Sequence, residues 1–574
     1  MKCLAKLYRR KCHFDANLLI DVPPLVRRIY LQRGIKTLQE LERSAHHLLS
    51  WKGIRGINDA VVLIYDMLKT SSRIIVVGDF DADGATSTAL VVLALRSMGG
   101  NVDYIVPNRF EHGYGLSPKI VECVRIRGAD MILTVDNGIA SHAGTVAARQ
   151  QGILVVITDH HLPDTTLPIA NAIVNPNLNS NLFPLRSLAG VGVAFYLMLA
   201  LRAYLRQKDW FNNFRTEPKL AELLDLVAIG TVTDIVPLNS NNRILVWQGL
   251  NRIRSGKGRI GINAMLNIAN INKSQLVTSD LGFVIGPRIN AAGRLNDISS
   301  SIALLITNDI NKAYILAHQL DMLNKTRKKL AQLMQHEAMI MCNLLKDKYG
   351  NLPHSLIFYD PKWHEGMVGI LASWLKERFY RPVIAFAPGE KGILKGSGRS
   401  IVDLHLRNVL VQINKLFPGL IIKFGGHAMA VGLSIEQVKY EQFCQCFTEI
   451  INEYLQNKVL QHIIWSDGEL ETWQFSLHTA EMLRDAGPWG HEFPEPTFDG
   501  QFELLKQQLI CNQHLKVLLK PIGGGPILEG INFNIDPSVW PNKKLHYVKI
   551  AYKLNINNYG GNQSLQLIID HIWS

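Results

Sequence analysis

The sequence predicts an α/β protein: a parallel-sheet catalytic domain joined by a long helix to a smaller α/β domain, followed by a β-barrel. Three textures predict it. From Arg73 onward, short β-branched runs ("RIIVVGD", "VDYIVP", "MILTVDNG", "ILVVITDHH") alternate with helix-like segments such as "ATSTALVVLALRSMG" and "SHAGTVAARQQG". That alternation is the mark of a parallel sheet covered on both faces. Residues 308–350 contain neither proline nor interior glycine and are rich in Leu, Lys, Gln and Met, as expected of one long helix or two abutting ones. The last stretch turns to short alternating strands with Gly/Asn turns, for example "YVKIAYKLNINNYGGNQSLQLIIDHIW".

Taken in order, residues 1–70 read as a helical cap, with apolar positions at helical spacing in "INDAVVLIYDMLK". Residues 71–307 form the first α/β domain and 308–350 the connecting helix. A second α/β pattern covers 351–455, with "HSLIFYD", "PVIAFAP", "GILKGSGRS" and "GGHAMAVGLSI", and the barrel-like texture fills 456–574. At roughly 100 to 200 residues per domain, 574 residues accommodate this division.

The totals exclude several classes. The chain is 47% apolar and 19% charged, which is ordinary for a folded chain, and its net charge of +13 permits a polyanionic partner without requiring one. Seven cysteines without a C-x-x-C indicate neither a disulfide framework nor a zinc knuckle and fit a reducing cytoplasm. The basic N-terminus lacks the apolar core of a secretory signal. The longest apolar run, "LAGVGVAFYLMLAL" at 188–201, is too short to span a bilayer and reads as a buried helix, so no membrane association is expected. No G-x-x-x-x-G-K-[ST] occurs, and "GVGVAF" lacks the third glycine of a dinucleotide loop.

The chemistry is written at three strand ends. "IIVVG" runs into Asp79, Asp81 and Asp83; "MILTV" into Asp136-Asn137-Gly138; "ILVVIT" into Asp159-His160-His161. In an open parallel sheet, ligands bind beyond the carboxyl ends of the strands, so these loops share one rim. "DFDADG" also matches the start of an EF-hand calcium loop, but the twelfth position is Leu90, where that loop needs a bidentate Glu. Each Asp alone could merely cap a helix. Three such loops in successive units, two histidines among them, point instead to a cation that neutralises clustered negative charge. Carboxylates with imidazole and no thiolate suit Mn²⁺ or Mg²⁺, and the histidines favour Mn²⁺. Two such ions sharing a carboxylate perform in-line phosphoryl displacement.

The motifs "DFDADG", "DNG", "DHH" and the Asp of "GTVTDIVPL" (Asp234) resemble those of the DHH phosphoesterase superfamily. "VPNRFEHGYGLS", "GPRINAAGR", "WHEGMVGI", "GSGRS" and "GGHAMAVG" narrow the likeness to its bacterial RecJ family of single-stranded-DNA exonucleases, from about residue 50 to the C-terminus. The resemblance implies a DHH catalytic domain, a DHHA1 domain that closes over the cleft, and an OB-fold domain. It implies two ions bridged by Asp136, with Asp79 and Asp81 nearer one and Asp83, His160 and Asp234 holding the other. His161 would contact the scissile phosphate or assist the leaving group, and Asp159 would orient its neighbours.

Arg109, Ser397 and Arg399 would bind a terminal 5′-phosphate, and His427 in its glycine-rich turn would approach a phosphodiester. Arg288 and Arg294 would either track the DNA backbone or pair structurally at a domain junction. The implied activity is 5′ to 3′ hydrolysis of single-stranded DNA to 5′-mononucleotides in recombination and repair, through a channel that admits one strand. A monomer working with a helicase and a single-strand-binding protein is implied as well. Two rivals stay open: a phosphatase of small phosphodiesters on the same core, which needs neither the barrel nor the +13 charge, and a scaffold that has lost catalysis, whose ligand positions would be eroded.

Overall fold

The first strand of the chain, β1 (Lys6–Arg9), precedes the helices Pro24–Gln32 and Ile57–Lys69, so residues 1–70 hold a strand as well as the expected helices. Four residues are too few for a periodic signal, which is why the sequence hides it. The computed structural model describes all residues except 1–4, 12–17, 109–114, 181, 182, 457, 459, 512, 536–538, 559–561 and 574, and the side chain at 349.

The first sheet comprises β2 (Arg73–Val77), β3 (Asn101–Ile105), β4 (Met131–Val135), β5 (Leu154–Thr158) and β6 (Ala172–Val174), in the order β3-β2-β4-β5-β6. All neighbours run parallel. Alternate side chains feed two cores. Ile74, Val76, Leu133 and Val156 meet the helices Ala82–Ser97, Gly190–Gln207 and Leu224–Thr233, while Ile75, Val77, Ile132 and Ile157 meet Pro118–Ile126 and His142–Gln150. Burial on both faces explains why these strands are continuously apolar. The strand order reverses beside β2, between β3 and β4, which opens a crevice at the carboxyl ends of β2, β4 and β5. The run at 188–201 lies inside the buried helix Gly190–Gln207, as expected.

The connector is a single helix, Ile310–Tyr349, of 40 residues and about 60 Å at 1.5 Å per residue. Its first half buries Ala313, Ala317 and Leu320 in the core of the first domain, and its second half buries Met334, Ala338 and Cys342 in that of the second. The second sheet contains β7 (Leu356–Tyr359), β8 (Val383–Pro388), β9 (Ile393–Arg399), β10 (Lys423–Gly426) and β11 (Ala430–Glu436), ordered β10-β11-β9-β8-β7. Only β7 and β8 pair in parallel.

Strand β12 (Ile463–Ser466) pairs with β1, and a closed barrel follows in the order β13-β14-β15-β17-β16. Its strands are β13 (Phe498–Ile510), β14 (His514–Pro521), β15 (Leu528–Asn532), β16 (Tyr547–Asn557) and β17 (Ser564–Trp573). The N-terminal segment clasps this end of the chain. Arg33 donates to both oxygens of Asp467 at 2.9 and 3.0 Å, and Asp467 also accepts from the Thr497 N–H at 3.0 Å. Tyr30 packs its ring against Trp489 and Phe493.

Both partners of the Arg33–Asp467 pair are withdrawn from solvent, so removing one leaves a buried charge unpaired. Asp467→Ala is expected to destabilise the chain by about 3 to 5 kcal/mol in urea unfolding; a loss below about 1 kcal/mol would show that the clasp is dispensable.

Candidate metal centre and substrate cleft

Three loops at the crevice place the carboxylates, and the backbone explains how. Asn137 donates its amide to the carbonyls of Val77 (3.0 Å) and Val135 (2.9 Å), locking the ends of β2 and β4 together. Asp136, just before it, adopts φ +61, a left-handed conformation that Asp tolerates better than most residues, and is 2% exposed. The helix Gly190–Gln207 begins against it: a Cβ on Gly190 would lie 2.6 Å from Asp136 Oδ1, so only glycine permits this approach. The same helix N-terminus holds Asp83, whose two oxygens accept from the Gly190 N–H (2.7 Å) and the Val191 N–H (2.9 Å).

Asp81 does what the bland reading foresaw, capping the helix Ala82–Ser97 by accepting from the Gly84 N–H at 3.0 Å. It also belongs to a metal-competent group. Asp79, Asp81 and Asp136 offer oxygens within 4.8 Å of one another, as do ligand atoms of Asp83, His160 and Asp234, and those of Asp136, His160 and His161. Asp234 arrives from the C-terminal end of the helix Leu224–Thr233. His160 Nε2 lies 3.1 Å from Asp136 Oδ1, 3.5 Å from Asp234 Oδ2 and 3.9 Å from Asp83 Oδ2. Every metal candidate expected from the sequence is therefore in one cluster. Leu90, the position that failed the calcium motif, is in the apolar core.

Burial, followed by the neighbouring acids, raises the carboxyl pKa values: Asp83 to about 7, Asp136 and Asp234 well above the usual carboxylate range. His160 moves the other way. Burial and then the His161 charge lower it to about 4, so its ring is neutral, with an unprotonated nitrogen for a metal. Asp136 Oδ1 and His160 Nε2 are both buried without a hydrogen-bond partner among the described residues. Oxygen donors plus a neutral imidazole, with two orphaned atoms facing each other, fit a hard divalent cation.

Asp159 faces away from this group and organises the loop. It accepts from the N–H groups of His160, His161 and Ile139 and from His161 Nδ1 at 2.7 Å. Burial opposes the charge on His161, but the bond to Asp159 prevails and raises that imidazole to about 9. Asp159 is correspondingly lowered despite its burial. This favours the charged form of His161, whose ring lies beside Asp136 and His160. Sequence reasoning missed the amides that hold the loop: Asn175 donates to the His161 carbonyl at 2.9 Å and Asn177 to that of His160. "NPN" at 175–177 was the available signal.

The second domain gathers donors that could hold an anion. Arg399 donates to Ser397 Oγ (3.1 Å), Ser373 Oγ (3.1 Å) and the Gly398 carbonyl (2.8 Å), and burial lowers its pKa. No carboxylate pairs with it among the described residues. A Cβ on Gly369, in the first turn of the helix Val368–Phe379, would meet Ser397 Oγ at 3.1 Å and Arg399 Nη2 at 3.2 Å, so helix N-terminus, hydroxyl and guanidinium converge. Ser373 and Gly369 were not foreseen. His427, on the turn between β10 and β11, has its pKa lowered by burial and then by the His161 charge, which sets this turn opposite the DHH histidines.

The remaining arginines separate. Arg288 is engaged by Asp321 of the long helix at 2.8 Å, the structural pairing that the sequence left open. Arg294 donates to the Gly366 carbonyl at 3.2 Å, bridging to the second domain. Arg109 lies outside the described residues.

Comparison with known proteins agrees with this geometry. The model of the DHH family, N-terminal domain, matches residues 73–231, that of the DHHA1 domain 353–457, and that of the RecJ OB domain 466–571. A single-stranded-DNA-specific exonuclease RecJ of Salmonella typhimurium is 57% identical over 575 residues, covering 100% of both chains; the Escherichia coli protein of that name is 56% identical with the same coverage. The crystal structure of RecJ in complex with Mn²⁺ from Thermus thermophilus matches with a TM-score of 0.78 at 26% identity, covering 96% of this chain and 76% of that one.

The raised carboxyls make cation binding compete with protons. Without metal, Asp83 binds its proton more tightly folded than unfolded, so its contribution favours folding at low pH and is lost as pH rises towards about 7. A cation replaces that proton, so its apparent affinity falls about tenfold per pH unit below 7 for each proton released. The Tm gain on adding Mn²⁺ is expected to be larger at pH 8 than at pH 6; equal gains at both would contradict the linkage.

Proposed function

Since the chain belongs to the RecJ family of single-stranded-DNA-specific exonucleases, we propose that it hydrolyses single-stranded DNA from its 5′ end to 5′-mononucleotides by a two-metal mechanism. The observation that carries the proposal is the position of Asp136, which groups with Asp79 and Asp81 on one side and lies 3.1 Å from His160, a member of the group with Asp83 and Asp234, on the other. Asp79 and Asp81 complete one group, and Asp83, His160 and Asp234 form the other; the similar RecJ from Thermus thermophilus is known in complex with Mn²⁺ and with Mg²⁺, which supports a divalent cation here. Two divalent ions held by these residues would supply water activation and charge neutralisation at the phosphorus.

The protein's own groups do the rest. His161, charged and oriented by Asp159, sits at the rim to hydrogen-bond a non-bridging phosphate oxygen or to protonate the departing oxygen. Arg399 and Ser397 take the terminal phosphate, giving the site its preference for a chain end, and Arg109 is assigned to the same phosphate from sequence. The turn carrying His427 covers the scissile bond from the second domain and narrows the opening to one strand. Arg288 acts by fixing the junction through Asp321, and Arg294 by holding the two domains in register.

No helix among the described residues is long and apolar enough to cross a membrane. We assign the protein to the cytoplasm, as a monomer that acts in recombination and repair on strands exposed by a helicase and coated by a single-strand-binding protein.

Asp136→Asn is expected to leave the fold intact and lower turnover on single-stranded DNA more than 100-fold, beyond the roughly 10- to 100-fold typical of a group that only orients a ligand. A folded variant with wild-type turnover would refute the shared-ligand assignment. Arg399→Ala is expected to erase the preference for 5′-phosphorylated over 5′-hydroxyl strands, measured as the ratio of kcat/KM values; an unchanged ratio would remove Arg399 from end recognition.

A further inference from the structure

We infer that Phe283 stacks on an unpaired base of the substrate, in a groove between the helix that delivers Asp234 and the barrel. The inference rests on the nuclease reading above. The groove has a volume of about 950 Å³ and starts at Ile235, the residue after Asp234; its far wall is the end of β16.

Two large apolar side chains stand in solvent on the near wall, Phe283 at 81% exposure and Ile235 at 66%. Neither exposure is accidental to the backbone. Ile235 holds φ +58, a conformation that a β-branched residue adopts only under constraint. Phe283 lies within one turn of π-helix, Leu281–Ile285, a form found mostly at functional sites. Pro287 explains it, since it has no N–H to give to the Phe283 carbonyl, the partner that an unbroken α-helix would supply. The π-turn is seated on the helix that delivers Asp234. A Cβ on Gly286 would meet Thr233 Cγ2 at 2.4 Å, and one on Gly282 would meet Val232 Cγ1 at 3.6 Å. Phe283 is therefore fixed relative to the metal ligands.

The rest of the lining names the occupant. Asn270, Asn272, Gln275 and Asn555 provide neutral donors and acceptors, and Asn558 bonds to Gln275 across the groove, tying the barrel to the first domain. Of the charged groups, Lys553 pairs with Glu495 at 3.2 Å, Arg484 with Asp485 at 2.8 Å, and Asp280 accepts from the Val277 N–H at 2.9 Å. An aromatic face among amides, with no unpaired Lys or Arg among the described lining residues, suits bases rather than phosphates, and stacking accepts every base. With Ile235 on its wall, one residue from the metal ligand Asp234, its base belongs to the strand being degraded, on the 3′ side of the scissile bond.

The test uses single strands carrying one abasic site moved stepwise from the 5′ end. With the wild-type chain, KM is expected to rise about 5- to 100-fold when the gap meets Phe283, with kcat little changed. Phe283→Ala should show that KM on intact DNA and no dependence on abasic position, while Phe283→Trp restores both. Independently of hydrolysis, 2-aminopurine at the sensitive position should be quenched on binding wild-type protein in EDTA and not on binding Phe283→Ala. A folded Phe283→Ala chain with wild-type KM, abasic response and quenching overturns the inference. So does a concentration-dependent dimer that Phe283→Ala dissolves with those three readouts unchanged, since the face would then serve a second copy. If wild-type protein quenches 2-aminopurine but does not cleave, the nuclease reading fails and the stacking site stands.

Discussion

Five carboxylates meet in a buried crevice, and the repulsion between them is the constraint around which the first domain is arranged. At a separation of 4 Å and an effective dielectric of 20, each like-charged pair costs about 4 kcal/mol. Protons offset this in the absence of metal, as the raised Asp83, Asp136 and Asp234 carboxyls indicate. The backbone contributes as well, with the N-terminus of the helix Gly190–Gln207 donating twice to Asp83. Among the described residues no comparable donor reaches Asp136 Oδ1, which leaves it able to take a cation.

Much of this was legible because the parallel sheet turns sequence into geometry. A β-branched run followed by Asp marks a strand end, and strand ends of adjacent β2, β4 and β5 share a rim. That logic collects Asp79, Asp81, Asp83, Asp136, His160 and His161 without any contact information. Asp234 follows a helix rather than a strand, so only family resemblance supplied it. The roles of Asn137, Asn175 and Asn177 escaped for another reason: each donates to backbone carbonyls, and neither "DNG" nor "NPN" by itself says which carbonyls its amides will hold. Arg288 shows the limit for exposed motifs, since nothing local announces that Asp321, 33 residues on, is its partner.

The outer architecture serves the same centre. The helix Ile310–Tyr349 buries one half in each α/β domain, which places the Arg399 cradle and the His427 turn on the side of the cleft opposite the carboxylates. The N-terminal segment performs the equivalent task for the barrel through β1 and the Arg33–Asp467 pair. Its role escapes sequence reading because β1 and β12 are 457 residues apart in register, Lys6 opposite Ile463.

The central claim is that this cradle holds two cations sharing Asp136. Electron paramagnetic resonance of the protein titrated with Mn²⁺ addresses it most directly, because two ions bridged by one carboxylate are exchange-coupled. The account predicts saturation at two ions per chain with a coupled spectrum, reverting to isolated ions in Asp136→Asn. Saturation at one ion, or two ions with uncoupled six-line spectra in the wild-type chain, would contradict it.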